Sequence, residues 1–292
     1  MQSLKGTLTA LVTPFRDGAL DAAALESLIQ RQLDVGVDGL VPCGTTGESP
    51  TLTEAEYHRV ITTSVKLAAG RVPVVAGAGT NSTRGTIDRV HVCGECGADA
   101  LLVVSPYYNK PSQQGLYQHF AAVAQSTTLP IVLYNIPGRT GVELSVDTIT
   151  RLHADHANIV SVKHATGSVA GAVDLLAACS IAMLSGDDPL TLPLMSLGAL
   201  GVISAMSNLV PRTIKRLTDA MLADDLPAAR LVHRQMYPLV KLLATLDTNP
   251  IPVKTALAIR GLCAEEFRLP LCPMSPDSRR RLEAQLEQSE LD

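Results

Sequence analysis

Short apolar runs alternate along this chain with longer stretches whose apolar positions recur every three to four residues. The runs predict strands over Thr7–Thr13, Gly39–Pro42, Pro73–Ala78, Ala100–Ser105, Ile131–Asn135, Ile159–His164, Ala182–Ser185 and Gly201–Ser204. They are near-continuous in Val, Ile, Leu and Ala rather than alternating, which fits parallel strands buried on both faces. The periodic stretches predict helices, among them Asp21–Val35, Thr53–Ala69, Ser82–Cys96 and Gln113–Ser126. Thr53 before Glu54 and Glu56, and Ser82 after Asn81, are start signals, since a side-chain oxygen there satisfies an orphan backbone N–H. Eight strand–helix repeats in about 220 residues match the count and length of a (β/α)8 TIM barrel, an α/β fold. The rival is an open doubly wound sheet. No G-x-G-x-x-G stands at the first strand–helix turn, which weakens its dinucleotide-binding version.

Strand signals stop near Ala223. Leu226 to Asp292 predicts helices, interrupted by Asn249-Pro250-Ile251-Pro252 and Leu269-Pro270. The expected organisation is a barrel over 1–224 and a C-terminal helical appendage over 225–292.

Composition narrows the partners. With 46% hydrophobic and 18% charged residues in 292, the chain suits a globular protein with a large core, and without Trp that core is aliphatic. The net charge is -4 and the one basic run is Arg279-Arg280-Arg281, so no nucleic acid is expected. No apolar segment follows Met1-Gln2-Ser3-Leu4-Lys5, and the longest apolar stretch, Val169 to Leu184, is broken by Asp174. Neither a secretory signal nor a membrane span is expected. Six cysteines then read as reduced thiols of a cytoplasmic protein. Cys93-Gly94-Glu95-Cys96 has redox spacing but lies in a helical pattern, so two small buried side chains are expected.

Barrel active sites lie at the carboxyl ends of the strands. The second strand runs into Cys43-Gly44-Thr45-Thr46-Gly47-Glu48-Ser49, and the fourth into Pro106-Tyr107-Tyr108-Asn109. The fifth runs into Tyr134-Asn135-Ile136-Pro137-Gly138-Arg139-Thr140-Gly141, and the seventh into Gly186-Asp187-Asp188. The sixth carries Lys163 in Ile159-Val160-Ser161-Val162-Lys163-His164, and the eighth carries Ile203 and Ser204. Burial disfavours an ammonium, so a lysine in an apolar strand is a candidate amine nucleophile; a lysine reaching solvent from the strand end is the bland alternative. Tyr134 reads as a core aromatic or a proton carrier, and Thr45-Thr46 as a plain turn or a carboxylate cradle. Arg139 reads as a surface arginine or a carboxylate clamp. His153-Ala154-Asp155-His156 falls at the opposite end of the barrel. No metal and no cofactor are therefore expected.

Taken together and in order, these stretches resemble the dihydrodipicolinate synthase family of pyruvate-dependent Schiff-base aldolases. Lys163-His164-Ala165-Thr166-Gly167 and Asn249-Pro250-Ile251-Pro252-Val253-Lys254 belong to the match. The resemblance implies that Lys163 forms an imine with pyruvate and that Tyr134 moves protons. It implies that Thr45 links Tyr134 to Tyr108 of a neighbouring subunit, and that Thr45 and Thr46 hold the pyruvate carboxylate. Arg139 would receive the carboxylate of aspartate semialdehyde, and Gly186 and Ile203 would line the pocket. A homotetramer is implied. The product would be 4-hydroxy-tetrahydrodipicolinate, on the route to diaminopimelate and lysine.

His164 stands where this family usually has Glu; alternation along a strand predicts that it faces the helices if Lys163 faces the barrel. The alternatives are a sister lyase acting on a sugar acid and a barrel without catalysis that serves as a binding protein. Arg139 argues against the first, and the intact Lys163, Tyr134 and Thr45 set against the second. The resemblance also marks a candidate regulatory site for lysine. Ser49, Asn81 and Tyr107 keep its usual residue types. Glu54 and Tyr57 stand where inhibited relatives often have histidines, and Gly85 stands where they have a glutamate. Weak or absent feedback inhibition is expected.

Overall fold

The computed structural model describes residues 4–289 and Leu291. The N-terminal segment read above for a signal, and the outermost residues of the expected 1–224 and 225–292 parts, lie partly outside the described residues.

Eight parallel strands form the barrel: β1 (Gly6–Ala10), β2 (Gly39–Val41), β3 (Val75–Gly77), β4 (Ala100–Val104), β5 (Ile131–Asn135), β6 (Ile159–His164), β7 (Ala182–Ser185) and β8 (Gly201–Ser204). Hydrogen bonding runs β2-β1-β8-β7-β6-β5-β4-β3. The ring closes through a parallel bridge between Leu40 and Val74 and through Gly77 N–H donating to the Pro42 carbonyl at 3.0 Å. The last four strands match the sequence expectation end for end. The first four are shorter than expected: β1, β2 and β4 stop one to three residues earlier at the mouth, and β3 starts two residues later and stops one earlier. A short hairpin, Phe15–Arg16 with Ala19–Leu20, follows β1.

The helices α1 (Ala22–Val35), α2 (Glu54–Ala68), α3 (Thr83–Glu95) and α4 (Gln113–Gln125) start where their caps predict. Thr53 and Glu56 form a reciprocal capping box, and Ser82 accepts from Gly85 N–H. Later come the turn α5 (Pro137–Thr140), then α6 (Val146–Asp155), α7 (Val169–Ala178), α8 (Thr191–Ser196) and α9 (Pro211–Leu222). The C-terminal part is α10 (Leu226–Leu246), α11 (Ile251–Ile259) and α12 (Pro276–Glu287). No helix among the described residues is long and apolar enough to cross a membrane.

Packing separates into three layers. Leu8, Val41, Val75, Leu102, Val132, Leu184 and Ile203 fill the barrel interior. A larger aliphatic layer joins the outer strand faces to α1 through α8, with Leu25, Ile61, Leu101, Phe120 and Ile159 fully buried. A third layer packs α9 to α12 against one side of the barrel through Val12, Leu28 and Val202. The helical C-terminus therefore shares its core with the barrel.

The cysteine pair is structural. Cys93 is buried on α3 and Cys96 at its C-terminal cap, and Cys93 Sγ lies 3.1 Å from the Tyr57 hydroxyl. Burial pushes the Cys93 thiol up to about 12, which suppresses the reactive thiolate.

Candidate active site

Strand alternation sets the direction of the central side chains. Ser161, Lys163 and Ala165 face the barrel interior, while Val162 belongs to the outer layer. Lys163 pairs in register with Tyr134 on β5, so the two point the same way. Lys163 is 6% exposed, and its Nζ lies 4.3 Å from the centre of the Tyr134 ring. Gly186 leaves the space this amine needs. A Cβ there would stand 3.0 Å from Lys163 Cε and 2.5 Å from Ala165 Cβ.

His164 faces the helices, as alternation predicts. Its Nε2 lies 3.0 Å from the Ser168 carbonyl and 2.9 Å from Thr166 Oγ1, at the start of α7. The imidazole thus braces the loop after β6 and does not enter the cavity.

A cavity of about 230 Å³ at the carboxyl end of the strands is lined by Lys163, Tyr134, Thr45, Thr46, Arg139, Gly186 and Ile203. A second, of about 310 Å³, adjoins it and shares Thr45, Tyr134, Arg139 and Asn249. Seven of the eight expected catalytic and substrate-binding residues thus meet at one place. Tyr108 is not among them. It is 89% exposed, with a left-handed φ of 73°, a conformation unfavourable for a bulky residue.

The loop after β2 is held tightly. Gly47 N–H donates to Gly44 O, Glu48 N–H to Thr45 O, and Thr13 Oγ1 to Gly47 O. Glu48, in a left-handed conformation (φ 51°), buries its carboxylate. It accepts from Lys254 Nζ at 2.6 Å and from Arg268 N–H at 3.2 Å. Arg268 then grips both oxygens of Glu56 at 2.5 and 2.6 Å, and this holds the Glu56 carboxyl down at about 2. Sequence reading assigned no role to this clasp, whose ionic partners lie over 200 residues apart.

Two carboxylates follow Gly186. Asp188 accepts from Ser204 Oγ, from Ala205 N–H at 3.1 Å and from Met206 N–H at 3.2 Å, tying β7 to the loop after β8. Burial pushes both Asp187 and Asp188 above the ordinary carboxylate value, and the charge of Lys163 opposes it. Arg139 is exposed but anchored: Nη2 donates to Asn249 O at 2.8 Å and to Thr248 Oγ1 at 3.3 Å.

The candidate regulatory residues come together only in part. Ser49 and Tyr107 line the 310 Å³ cavity, with Arg89. Asn81 lies beside that wall, its carbonyl accepting from Asn109 Nδ2, and Gly85 sits in the first turn of α3. Glu54 is exposed on α2. Tyr57 is unavailable to a ligand: it is buried, and its hydroxyl donates to Gly77 O at 2.7 Å. Among the described residues, no three His, Cys, Asp or Glu side chains converge as metal ligands. His153 instead holds the Ile159 carbonyl at 2.8 Å.

A closed parallel barrel that brings a buried amine, a tyrosine, paired threonines and an arginine to its carboxyl end has the layout of the lysine-dependent barrel aldolases. Comparison with known proteins gives the particular family. The chain belongs to the Dihydrodipicolinate synthetase family, whose sequence profile matches residues 3–289. It is 49% identical over 280 residues to the 4-hydroxy-tetrahydrodipicolinate synthase of Pelobacter propionicus, covering 95% of this chain and 96% of that one. The crystal structure of dihydrodipicolinate synthase from Aquifex aeolicus superposes with a TM-score of 0.95 at 48% identity, covering 98% of each chain. The 4-hydroxy-tetrahydrodipicolinate synthase of Methylacidiphilum fumariolicum SolV superposes with a TM-score of 0.96 at 45% identity, covering 98% of this chain and 96% of that one.

Proposed function

We propose that this chain joins pyruvate to aspartate 4-semialdehyde through an imine on Lys163, giving 4-hydroxy-tetrahydrodipicolinate. The observation that carries this reading is the Lys163 amine held 4.3 Å from the Tyr134 ring centre in the same cavity as Thr45, Thr46 and Arg139. The relatives' name favours this acceptor over the sugar acids of a sister lyase.

The free amine attacks the pyruvate carbonyl carbon, and the carbinolamine loses water. The protonated imine is then an electron sink. Loss of a methyl proton leaves an enamine, whose carbon attacks the aldehyde, and the new alkoxide takes a proton. The acceptor's own amino group then displaces Lys163 from the imine, closing the ring and freeing the enzyme. Tyr134 carries protons for these steps, since a phenol both donates and accepts. Thr45 and Thr46 hold the pyruvate carboxylate, and Arg139 holds that of the semialdehyde. Gly186 and Ile203 shape the floor. The imine supplies the positive charge a metal would otherwise provide.

Tyr108 enters this scheme from a neighbouring subunit, through Thr45, within a homotetramer. What supports this is a nearly fully exposed tyrosine held in a strained backbone conformation. Val169 and Val173 on α7 and Leu197 just after α8 are exposed apolar side chains that a further subunit contact would cover. The catalytic barrel lies within the expected 1–224 part, and the C-terminal part completes its mouth through Lys254 and Arg268. A cytoplasmic biosynthetic setting fits the six free thiols.

Borohydride added with pyruvate tests the reading. One reduced pyruvyl adduct on Lys163, found by peptide mass mapping, is expected. An adduct elsewhere, or none, overturns it.

A further inference from the structure

Among the described residues, Asn249 is the one that hydrogen-bonds to both groups assigned to the two substrate carboxylates. Its side-chain Nδ2 donates to Thr46 Oγ1 at 3.0 Å, and its main-chain carbonyl accepts from Arg139 Nη2 at 2.8 Å. It lines both adjoining cavities. Its own position is fixed from either side. Thr248 N–H donates to Asp247 Oδ1, and Ile251 N–H to Thr248 O, as the chain passes from α10 to α11. Five residues further on, Lys254 locks α11 to Glu48, in the loop that carries Thr46.

We infer that the Asn249 side chain is a positioning group that fixes the direction of the Thr46 hydroxyl, while the main chain at the same residue sets the reach of Arg139, so that the two carboxylate-holding groups keep one fixed spacing. A threonine hydroxyl has one hydrogen and two acceptor lone pairs. An amide N–H on a lone pair makes the oxygen an acceptor on that side. The hydrogen then turns toward the cavity, where a carboxylate accepts it. Thr46 Oγ1 donates to no group among the described residues, so this hydrogen is free for a substrate. On the other side, the Asn249 carbonyl engages one guanidinium nitrogen and leaves the rest of the fork for the second substrate.

This inference rests on the reading of Thr46 and Arg139 given above, and the test separates the two. Four proteins are compared: wild type, Asn249→Ala, Thr46→Val and the double variant. Pyruvate half-saturation is read by borohydride trapping, and turnover with aspartate semialdehyde is read alongside. Asn249→Ala is expected to raise pyruvate half-saturation about tenfold, the effect of one hydrogen bond to a charged group, with kcat falling by less than about threefold. In the Thr46→Val background the same change adds less than about twofold, because the hydroxyl it orients is gone. Asn249→Asp is expected to be worse than Asn249→Ala, since a carboxylate accepts the Thr46 proton and turns it away from the substrate. Equal effects of Asn249→Ala in both backgrounds, or an Asn249→Asp no worse than Asn249→Ala, overturn the inference. A Thr46→Val variant with unchanged pyruvate half-saturation brings down the reading of Thr46 and the inference with it. If thermal melting shows Asn249→Ala unfolded, Asn249→Ser, which keeps a polar group, takes its place in the cycle with the same outcomes.

Discussion

Among the described residues two lysines are buried, and only one of them is left free to react. Lys254 is fully enclosed. Its ammonium meets the Glu48 carboxylate at 2.6 Å and lies over the rings of Phe15 at 4.3 Å and Phe267 at 5.1 Å. Burial pulls it below the ordinary lysine value while Glu48 pulls the other way, and the amine is committed to its partner. Lys163 is almost as buried, yet no carboxylate among the described residues comes within ion-pair distance of it. Its neighbour is the face of Tyr134, and it opens into the cavity. Burial alone therefore does not make a nucleophile; burial without a fixed anion does. The paired lysine carries structure instead, because it pins the loop that presents Thr45 and Thr46.

Exchanging the two losses is the strongest way to break this comparison. Lys163→Ala is expected to fold normally and to lose turnover on the order of a thousandfold or more, as removal of a covalent nucleophile does. Lys254→Met is expected to keep the pyruvate adduct on Lys163 but to lose about 3–5 kcal/mol of stability, since Glu48 is left buried without its partner. Thermal melting and adduct mapping on both variants decide. A borohydride adduct on Lys254, or a fully stable Lys254→Met, would collapse the distinction.

Arg139 sharpens it from the substrate side. Among the described residues this cation is held by neutral oxygens, from Asn249 and Thr248, so a substrate carboxylate is the anion it lacks. Arg139→Ala is expected to weaken use of aspartate semialdehyde by one or more tenfold steps, each about 1.4 kcal/mol. Imine formation with pyruvate should suffer much less, as adduct yield at fixed pyruvate will show. Equal loss of both would make Arg139 a structural residue or a second holder of pyruvate.

The clasp around Lys254 also has a pH signature. Glu56, gripped by Arg268, titrates at about 2 when folded, against an ordinary 4.5. Its folded value is depressed, so its stabilisation is fully present above about 4.5. It fades as pH falls from there toward about 2 and is gone below. The melting temperature of wild type should therefore fall faster across that window than that of Glu56→Gln, and the two curves should converge at its acid end. Parallel curves would show that the ion pair contributes nothing in solution.

The sequence announced Lys163 and Lys254 in much the same way. One is a lone cation in an apolar strand, Ile159–His164. The other is a lone cation in an apolar helix, Ile251–Ile259. What separates them is Glu48, 206 residues from Lys254, and a pairing at that range has no local trace. The same limit hid Asn249, whose partners Thr46 and Arg139 come from other loops. The barrel itself was legible, since period and length specify strand and helix without long-range knowledge. Strand β6 was legible to its ends, and so was the outward turn of His164, because alternation is local. The buried setting of Tyr57 was not legible. Its helix face is set by packing against β3, which its own segment does not reveal.

A free lysine molecule poses the same question as the two buried side chains: what anion would its ammonium meet? The 310 Å³ cavity offers Ser49 and Tyr107 but also Arg89, which suits a lysine carboxylate and repels its ammonium. Gly85 contributes no side chain where inhibited relatives have a glutamate, and Tyr57 is sealed in the core. Glu54 is the one remaining carboxylate among the residues in question, and it is exposed in the first turn of α2. An exposed pair of that kind gives about 0–1 kcal/mol. The missing charge-assisted hydrogen bond is worth about 1.5–3 kcal/mol, so the deficit is roughly ten- to a hundredfold in affinity. Feedback inhibition by lysine is therefore expected to be weak or absent. Titrating lysine at saturating aspartate semialdehyde and moderate pyruvate checks it. Half-inhibition below about a millimolar would show that an anion, most directly Glu54, does for the ligand what Glu48 does for Lys254. Loss of that inhibition in Glu54→Gln would then identify it.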